Sequence, residues 1–440
     1  MYTCGPTVYR YVHIGNLRSF LLSDLVRRAL EFEGFTVTQV VNITDVGHMT
    51  DDTSDTGRDR MDLAAADEGL SPAEIAAKYT QAYLEDAQAL NLLPAHVYPK
   101  ATEHIGEMIG IAEDLTERGH AYEVGGSVYY DVHSFPDYGK LSGNTVDKLR
   151  AGHRQDLEVD PNKKHHADFA LWKRAGDNRL MRWDSPWGDG FPGWHIECSA
   201  MSMKYLGDRF DIHTGGTDLI FPHHEDEIAQ SDGAAGHQVV TLWVHGGHLR
   251  LREQKMAKST GNVIRVADLI DAGFDPLSYR YLAFQTRYRN EMDFSEDALR
   301  AADVALKRLR QRVTAWGAPA EALGETAQAF DGRFRAAVSD DLDMPAALRV
   351  LNELAASPEV PDGEKYALVA SWDAVLGLDV ERDAREGWQP TVEMDALVAE
   401  RDAARAARDF AKADEIRDRL QSMGLDVMDT PDGTRVRPRR

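Results

Sequence analysis

The spacing of apolar residues in the first hundred positions predicts alternating helices and strands. Between residues 17 and 32 apolar positions recur every three or four residues, and this helical stripe ends at Gly34. Residues 35–43 show an alternating pattern rich in β-branched side chains, which is typical of a strand. Residues 71–74, Ser-Pro-Ala-Glu, form a capping box that opens a helix to about Leu92. This alternation predicts a parallel α/β sheet.

The pattern changes after residue 120 and later returns. Residues 121–131 resemble a hairpin with a Gly-Gly turn, and the polar stretch 148–164 predicts loops. Beyond these, the pattern predicts a strand at 210–213, a turn at 214–217, a helix at 221–230 and a strand at 239–244. We interpret this as a sheet that is interrupted by an inserted module and then resumed.

The C-terminal part has a helical pattern. From residue 295 onward it is rich in Ala, Arg, Leu and Asp, with no internal repeat. Residues 377–390 are expected to form a linker. Residues 394–421 are expected to form one amphipathic helix that ends in a short tail.

Composition sets broad limits. A chain of 440 residues predicts two to four domains, and 43% hydrophobic with 28% charged residues is ordinary for a soluble protein. No apolar run approaches the roughly 20 residues of a membrane span, so we expect no membrane partner. The first residues have neither a basic nor an apolar signal region. Together with only two cysteines, this predicts a reducing cytoplasm.

The net charge of −23 excludes a uniformly basic nucleic-acid-binding surface. A local basic patch remains compatible with it. The C-terminal residues 434–440, Thr-Arg-Val-Arg-Pro-Arg-Arg, are such a patch, and a solvated tail is the alternative.

Three short motifs supply four residues with metal-binding side chains. Cys4 and Cys198 lie in Tyr-Thr-Cys-Gly-Pro-Thr and Gly-Trp-His-Ile-Glu-Cys, and Phe-Pro-His-His-Glu-Asp-Glu supplies His223 and Glu227. Positions i and i+4 share one helix face, so His223 and Glu227 can face one ion. Two sulfur, one nitrogen and one oxygen ligand suit tetrahedral Zn²⁺. The alternative is structural, with the cysteines as small buried hydrophobes.

Two further motifs suit phosphate. His13-Ile-Gly-Asn16 precedes a helix whose N-terminus favours anions, and Gly15 allows close approach of a ligand. Lys255 and Lys258, three apart in Lys-Met-Ala-Lys-Ser, can neutralise a polyphosphate or a leaving pyrophosphate. Each motif alone is weak evidence for phosphate binding. A charged loop such as the lysine motif is usually only a solvated surface.

In combination, these motifs resemble the two signature sequences of class I aminoacyl-tRNA synthetases. With the four metal-binding residues, the chain is identified as a member of the cysteinyl-tRNA synthetase family. The resemblance covers essentially the whole chain, through further motifs at residues 2–9, 41–45, 193–198, 211–218, 221–227 and 411–417.

The resemblance implies activation of L-cysteine with Mg²⁺-ATP and transfer to tRNA-Cys by a cytoplasmic monomer, with zinc selecting the thiol. It implies catalytic roles for His13, Asn16, Lys255 and Lys258, and ATP contacts from Gly15 and Lys258. The implied zinc ligands are Cys4, Cys198, His223 and Glu227, and the implied amino-acid pocket is Thr44, Trp194, His213 and Asp218. Without the family pattern, Trp194 is a plausible core aromatic, and Thr44 and Asp218 are plausible caps at strand ends.

The implied architecture is a Rossmann-like parallel-sheet catalytic domain with a connective insertion, followed by a helical bundle and a small anticodon-binding module. The expected ranges are a first catalytic half at 1–111, an insertion at 112–190, a second half with the zinc site at 191–247, a signature-loop region at 248–294, a bundle at 295–380 and a C-terminal module at 391–440.

Four features depart from the family pattern. The chain begins directly at the first metal-ligand motif, so we expect the first sheet strand to be incomplete. Asn16 replaces a second His, and its amide can still donate to phosphate. Ala257 replaces a Ser and removes a hydroxyl. Val436 replaces an aromatic residue, which argues against base stacking by the tail.

Three other interpretations share part of this pattern. A ligase that attaches cysteine to a small amine, as in mycothiol biosynthesis, has the same signatures but lacks an anticodon-binding end. A non-catalytic tRNA-binding relative is expected to have lost a lysine or a metal ligand, and none is lost here. A purely structural zinc protein leaves the phosphate motifs unexplained.

Overall fold

The structure is a computed structural model. It describes residues 1–51, 56–145, 161–176, 179–251, 263–385, 392–407, 409–423, 425–430 and 433–438. Among these residues, no helix is long and apolar enough to cross a membrane.

The strands in chain order are β1 (Tyr2–Thr3), β2 (Val40–Val41), β3 (Met49–Asp51), β4 (Thr56–Asp59), β5 (Ala121–Val124), β6 (Ser127–Tyr130), β7 (Phe169–Arg174), β8 (Gly190–Pro192), β9 (Phe210–Gly216), β10 (Val240–Gly246), β11 (Leu249–Leu251), β12 (Met292–Phe294), β13 (Leu425–Thr430) and β14 (Gly433–Pro438). The α-helices are α1 (Ile14–Phe32), α2 (Arg60–Glu68), α3 (Pro72–Ala89), α4 (Ile105–Glu117), α5 (Trp194–Leu206), α6 (Glu225–Ala235), α7 (Val266–Asp271), α8 (Leu277–Ala283), α9 (Glu296–Trp316), α10 (Glu325–Ser339), α11 (Met344–Ala356), α12 (Asp362–Leu376), α13 (Arg382–Arg385), α14 (Val392–Ala406) and α15 (Phe410–Ser422).

A four-stranded parallel sheet confirms the predicted fold class. Its order is β10-β9-β1-β2, and Tyr2 pairs with Val40 on one side and with His213 on the other. The strand predicted at 35–43 is too long, because only Val40–Val41 pair with the two residues of β1, and Phe35 is exposed.

The two helices predicted near the N-terminus are present. The apolar stripe of α1 packs into the core, and Gly34, at φ +89°, follows the helix end. In α3 the Ser71 hydroxyl accepts from the Glu74 amide while the Glu74 carboxylate accepts from the Ser71 amide. Both boundaries therefore follow from local capping rules.

The inserted segment forms a separate antiparallel sheet. Its order is β5-β6-β7-β8, and α4 packs beside it. The predicted hairpin is β5–β6, and its turn residues Gly125 and Gly126 both have positive φ, which glycine adopts without strain. Most of the predicted loop at 148–164 lies outside the described residues.

The parallel sheet resumes with β9 and β10. The turn predicted at 214–217 is wrong, because β9 continues to Gly216, which pairs with Gly246. The helix predicted at 221–230 begins later, at Glu225, after an irregular turn in which Phe221 is extended (φ −139°, ψ 131°).

The helices from α9 to α12 share one apolar core with α1 and α8. Buried Arg280 links these elements, since Nη2 lies 2.5 Å from Asp24 Oδ2 and Nε donates to Leu376 O. The linker predicted at 377–390 is wrong at its start, because Leu378 and Val380 are buried and α13 follows. Residues 386–391 lie outside the described part.

The C-terminal module is built differently from the prediction. Instead of one helix at 394–421, α14 and α15 are separate, and Asp409 caps α15 by accepting from the Lys412 amide. The predicted tail is also wrong, since β13 and β14 form an antiparallel hairpin. Val436 pairs with Val427 and packs on the small core of this module.

Candidate active site and metal centre

A cavity of about 410 Å³ opens beyond the carboxyl ends of β1, β9 and β10. This edge of a parallel α/β sheet is the usual place for ligands. Predicted residues of both the phosphate motif and the metal motif line the cavity, together with two residues of the predicted amino-acid pocket: His13, Gly15, Asn16, Cys4, Trp194 and Asp218.

The four predicted metal ligands lie together beside this cavity. Cys4 Sγ lies 3.7 Å from Cys198 Sγ and 3.5 Å from Glu227 Oε1. His223 Nε2 lies 3.2 Å from the same Glu227 oxygen. One ligand atom of each residue lies within 4.8 Å of the others. Cys198, His223 and Glu227 are buried, so the cluster reaches the cavity through Cys4.

Three elements converge to build this cluster. Cys4 directly follows β1, and its amide donates to Thr214 O of β9 across 3.3 Å. Cys198 lies in α5, and Glu227 lies in the first turn of α6. His223 and Glu227 face each other, although His223 precedes α6 and does not lie within it.

A second group of donors overlaps the first. It combines Cys4 and Glu227 with His213 and His224. His224 Nε2 lies 3.4 Å from Cys4 Sγ, and His213 Nε2 lies 2.9 Å from Glu227 Oε2. Sequence reasoning missed His224, although it directly follows His223 in the same motif. The described donors therefore form one continuous patch of sulfur, imidazole and carboxylate groups.

Electrostatics at the cluster favour a cation. A hydrogen bond with Cys4 lowers the pKa of Cys198 to about 7, whereas burial raises the pKa of Cys4. Burial opposes ionisation of Glu227, but His213 and His223 hold its pKa well below the usual range. Burial also opposes the charged His223 ring, yet its hydrogen bonds to Cys198 and Glu227 raise its pKa to about 10. Two anionic donors thus surround one cationic ring.

The residues predicted to bind the amino acid lie at two depths. Trp194 begins α5 and lines the cavity, and its ring centroid lies 4.5 Å from that of His223. Asp218 also lines the cavity. Thr44 and His213 are buried outside the cavity lining. The structure therefore brings Trp194 and Asp218 to the cavity and sets Thr44 and His213 behind its wall.

Glu197 is a buried carboxylate that sequence reasoning did not single out. His48, which lines the cavity, places Nε2 2.7 Å from Glu197 Oε1. Burial raises the pKa of Glu197 well above its ordinary value, although a hydrogen bond with Thr44 acts in the opposite direction. The only signal in the sequence is its position next to Cys198. Glu197 links one cavity wall to the metal-ligand motif.

The N-terminus of α1 faces the cavity with a reciprocal cap. The Asn16 amide donates to His13 Nδ1 and the His13 amide donates to Asn16 Oδ1, each across 3.2 Å. Burial, aided by the Arg10 charge, lowers the pKa of His13, so the ring is neutral at pH 7. With Nδ1 accepting, Nε2 carries the proton and can donate to an anion. The first turn of α1, which is fully described, carries no acidic side chain.

Gly15 is required by close packing at this cap. A Cβ atom at this position would lie 2.9 Å from the His13 ring. Lys255, Lys258 and Ala257 of the second signature lie outside the described residues.

Comparison with known proteins decides the family. Residues 1–304 match the class I (C) tRNA synthetase catalytic domain, and residues 391–437 match the cysteinyl-tRNA ligase anticodon binding domain. The cysteine–tRNA ligase of Thermus thermophilus is 44% identical over 463 residues, which cover 100% of this chain and 95% of the relative. The chain belongs to the cysteine–tRNA ligase family.

Other members of the cysteine–tRNA ligase family match over similar lengths. The enzyme of Treponema denticola is 41% identical over 460 residues, covering 98% of this chain and 93% of its own. Cysteine–tRNA ligase 1 of Burkholderia lata is 45% identical over 444 residues, covering 99% and 92%.

Solved structures agree on the fold. Mycobacterium tuberculosis methionyl-tRNA synthetase in complex with methionyl-adenylate superimposes with a TM-score of 0.59 at 15% identity, covering 90% of this chain and 95% of that chain. A putative arginyl-tRNA synthetase from Campylobacter jejuni gives 0.53 at 13% identity, covering 86% and 92%. At such identities the likeness supports the class I fold alone.

Proposed function

We propose that this chain is a cysteine–tRNA ligase, which joins L-cysteine to ATP as cysteinyl-adenylate and then transfers cysteine to the 3′ end of tRNA-Cys. One observation carries this proposal. The cluster of Cys4, Cys198, His223 and Glu227 borders the same cavity as the N-terminus of α1. A thiol-selective centre and a phosphate-binding helix end thus lie in one site.

The donors fit zinc. Two thiols, an imidazole and a carboxylate are the ligand types of tetrahedral zinc sites, and the buried His223 Nδ1 has no hydrogen-bond partner among the described residues. When bound, zinc supplies a Lewis acid that prefers a thiolate to a neutral hydroxyl, which separates cysteine from serine. Cys4, Cys198, His223 and Glu227 are the residues that would hold it.

The protein's own groups position the reactants. Asp218 supplies a carboxylate in the cavity that can accept hydrogen bonds from the substrate ammonium group, and Trp194 supplies an apolar part of the cavity lining. The N-terminus of α1 and the His13 Nε2–H group bind phosphate oxygens of Mg²⁺-ATP. Charge that develops on these oxygens is stabilised by the same donors.

Activation requires no nucleophile from the protein. The cysteine carboxylate attacks the α-phosphate and pyrophosphate leaves, and the terminal ribose hydroxyl of the tRNA then attacks the adenylate carbonyl and releases AMP. Positioning and charge stabilisation supply the catalysis. Lys255 and Lys258 remain predicted partners of the leaving pyrophosphate.

The C-terminal module favours tRNA over a small amine as acceptor. Residues 391–437 match an anticodon binding domain, and α14, α15 and the β13–β14 hairpin fold there around their own apolar core. Since Val436 packs on that core, it serves the hairpin and not base stacking. From the family resemblance we also infer a cytoplasmic monomer.

Aminoacylation tests this proposal. Purified protein is incubated with Mg²⁺-ATP, unfractionated tRNA and labelled cysteine, with labelled serine in parallel, and acid-precipitable label is counted. Label from cysteine alone is the expected result. Cysteine-dependent pyrophosphate exchange without label on tRNA would favour the small-amine ligase, and no exchange at all would contradict both.

A further inference from the structure

We propose that Arg179 of the inserted segment is a positioning residue that sets one wall of the cysteine pocket by clamping Gly47 to Asp59. This role rests on the proposed function. Arg179 itself does not line the cavity. It holds the residues next to two side chains that do, His48 and Arg60.

Each of the three nitrogens of the Arg179 guanidinium interacts with a protein oxygen. Nη1 pairs with Asp59 Oδ2 at 2.6 Å, Nε donates to Met181 O at 2.8 Å, and Nη2 donates to Gly47 O. The ring of Phe191 in β8 lies 3.4 Å from the guanidinium carbon. The side chains of Arg179 and Asp59 are only 7% and 5% exposed, so solvent screens this pair little.

Gly47 and Asp59 are adjacent to the two wall residues. His48 follows Gly47 and Arg60 follows Asp59, and the Arg60 amide donates to His48 O across 2.9 Å. One planar guanidinium therefore holds Gly47 and Asp59 at the point where His48 and Arg60 meet. A Lys offers a single flexible charge and cannot make the same fork.

The packing around Asp59 shows that the segment is built for this contact. Oδ1 of Asp59 caps α2 by accepting from the Met61 and Asp62 amides, which leaves Oδ2 for Arg179. A Cβ atom at Gly47 would lie 2.1 Å from Asp59 Oδ1. Glycine at this position thus lets the carboxylate sit against the backbone.

The wall so positioned belongs to the cysteine end of the cavity. His48 Nε2 lies 2.7 Å from Glu197 Oε1, next in sequence to Cys198, and the His48 ring centroid lies 6.0 Å from that of Trp194. Arg60 Nη1 donates to Tyr9 OH, which lines the same cavity. A shift of Gly47 and Asp59 therefore moves His48 relative to the metal-ligand motif.

Steady-state pyrophosphate exchange tests the clamp. Arg179→Met and Asp59→Asn are each expected to raise KM for cysteine about tenfold while kcat changes less than about threefold, because ground-state positioning is lost. For Arg179→Lys, the KM for cysteine is expected to lie between the values of these two variants and that of wild type. The matched control is Arg182→Met, from the same loop, whose guanidinium is 44% exposed and lies 3.7 Å from Asp189. It should behave as wild type.

A merely structural role gives a different pattern. If Arg179→Met lowers kcat and the active-site titre in parallel while KM for cysteine stays unchanged, the clamp is overturned. Should Arg179→Met fold poorly because it strands a buried carboxylate, the double variant Arg179→Met/Asp59→Asn removes both charges and is expected to retain the raised KM.

Hydrogen exchange separates this inference from the proposed function. Without substrate, the amides of residues 47–51 and 56–60 are expected to exchange at least about tenfold faster in Arg179→Met than in wild type, with the core of α1 unchanged. Unchanged exchange in these segments would overturn the clamp. If wild type shows no cysteine-dependent pyrophosphate exchange, the proposed function fails, and hydrogen exchange still decides the clamp.

Discussion

Cys4 Sγ and Cys198 Sγ lie 3.7 Å apart, although 194 residues separate them in the sequence. Both cysteines are free, and they come from different parts of the fold, since Cys4 directly follows β1 and Cys198 lies in α5. The thiols of the chain therefore meet only when the whole catalytic fold is assembled. The site cannot be formed by either half of the chain alone.

Loss of one cluster residue should remove the metal. His223→Ala is expected to reduce bound zinc from about one per chain to less than about a tenth, because three donors of mixed type hold zinc much less tightly than four. Metal content of the purified protein measures this. The matched control is His237→Ala, a partly exposed histidine 3.3 Å from Asp208, which should keep its zinc. Equal zinc in both variants would contradict the assignment.

The cap of α1 is expected to contribute to catalysis as well as to the stability of the fold. His13→Ala is expected to cost about 1 kcal/mol of unfolding free energy and to lower kcat/KM in pyrophosphate exchange by about 10²–10³, since a cap and a phosphate donor are both lost. Ser71→Ala removes the corresponding cap of α3, away from the cavity. It should cost similar stability with unchanged activity. Equal activity of the two variants would show that His13 is only a cap.

Lys258 is predicted to act on the leaving pyrophosphate. Lys258→Ala is expected to lower the rate of adenylate formation by about 10²–10³ with little change in KM for cysteine, because the positive charge stabilises the transition state. Pyrophosphate exchange under saturating cysteine measures this. Lys100→Ala, in a half-exposed pair 3.6 Å from Glu103, is the control and should be neutral. An active Lys258→Ala protein would argue against the signature assignment.

Asp86 in α3 should weaken the fold at neutral pH. Burial, partly offset by Arg265, raises the pKa of Asp86 to about 6, from 3.8. A raised folded-state pKa means that the stabilisation is present below about pH 4 and is lost as the pH rises through 6. Asp86→Asn is therefore expected to add about 1–2 kcal/mol to the free energy of unfolding at pH 7.5, after allowance for partial exposure, and less at pH 5.

Urea unfolding at both pH values measures the effect of Asp86→Asn. Wild type, unfolded in parallel at both pH values, is the reference. Equal or lower stability of Asp86→Asn at pH 7.5 would contradict the account.

Local rules explain which parts of the fold the sequence could predict. The start of α3 follows from Ser71 and Glu74 alone, and the end of α1 follows from Gly34. The predicted single helix at 394–421 fails because the Asp409 cap competes with helical periodicity. The length of β2 depends on the two residues of its neighbour β1, which no local pattern encodes.

Some residues of the candidate site could likewise be predicted from local sequence motifs, and others could not. Its metal donors lie in dense motifs, so Cys198 and Glu227 could be selected from the sequence. Arg179 could not, because its partner Asp59 lies far away in the sequence and a lone arginine in a loop has no pattern. The domain boundaries and the roles of individual site residues stay predictions.

Selection of cysteine by the metal cluster can be tested directly. Pyrophosphate exchange is measured with cysteine and with serine for the purified protein, for protein depleted of zinc with a chelator, and for depleted protein reloaded with zinc. We predict exchange with cysteine only, its loss on depletion and its return on reloading. Zinc-free protein that still activates cysteine and rejects serine would contradict the account.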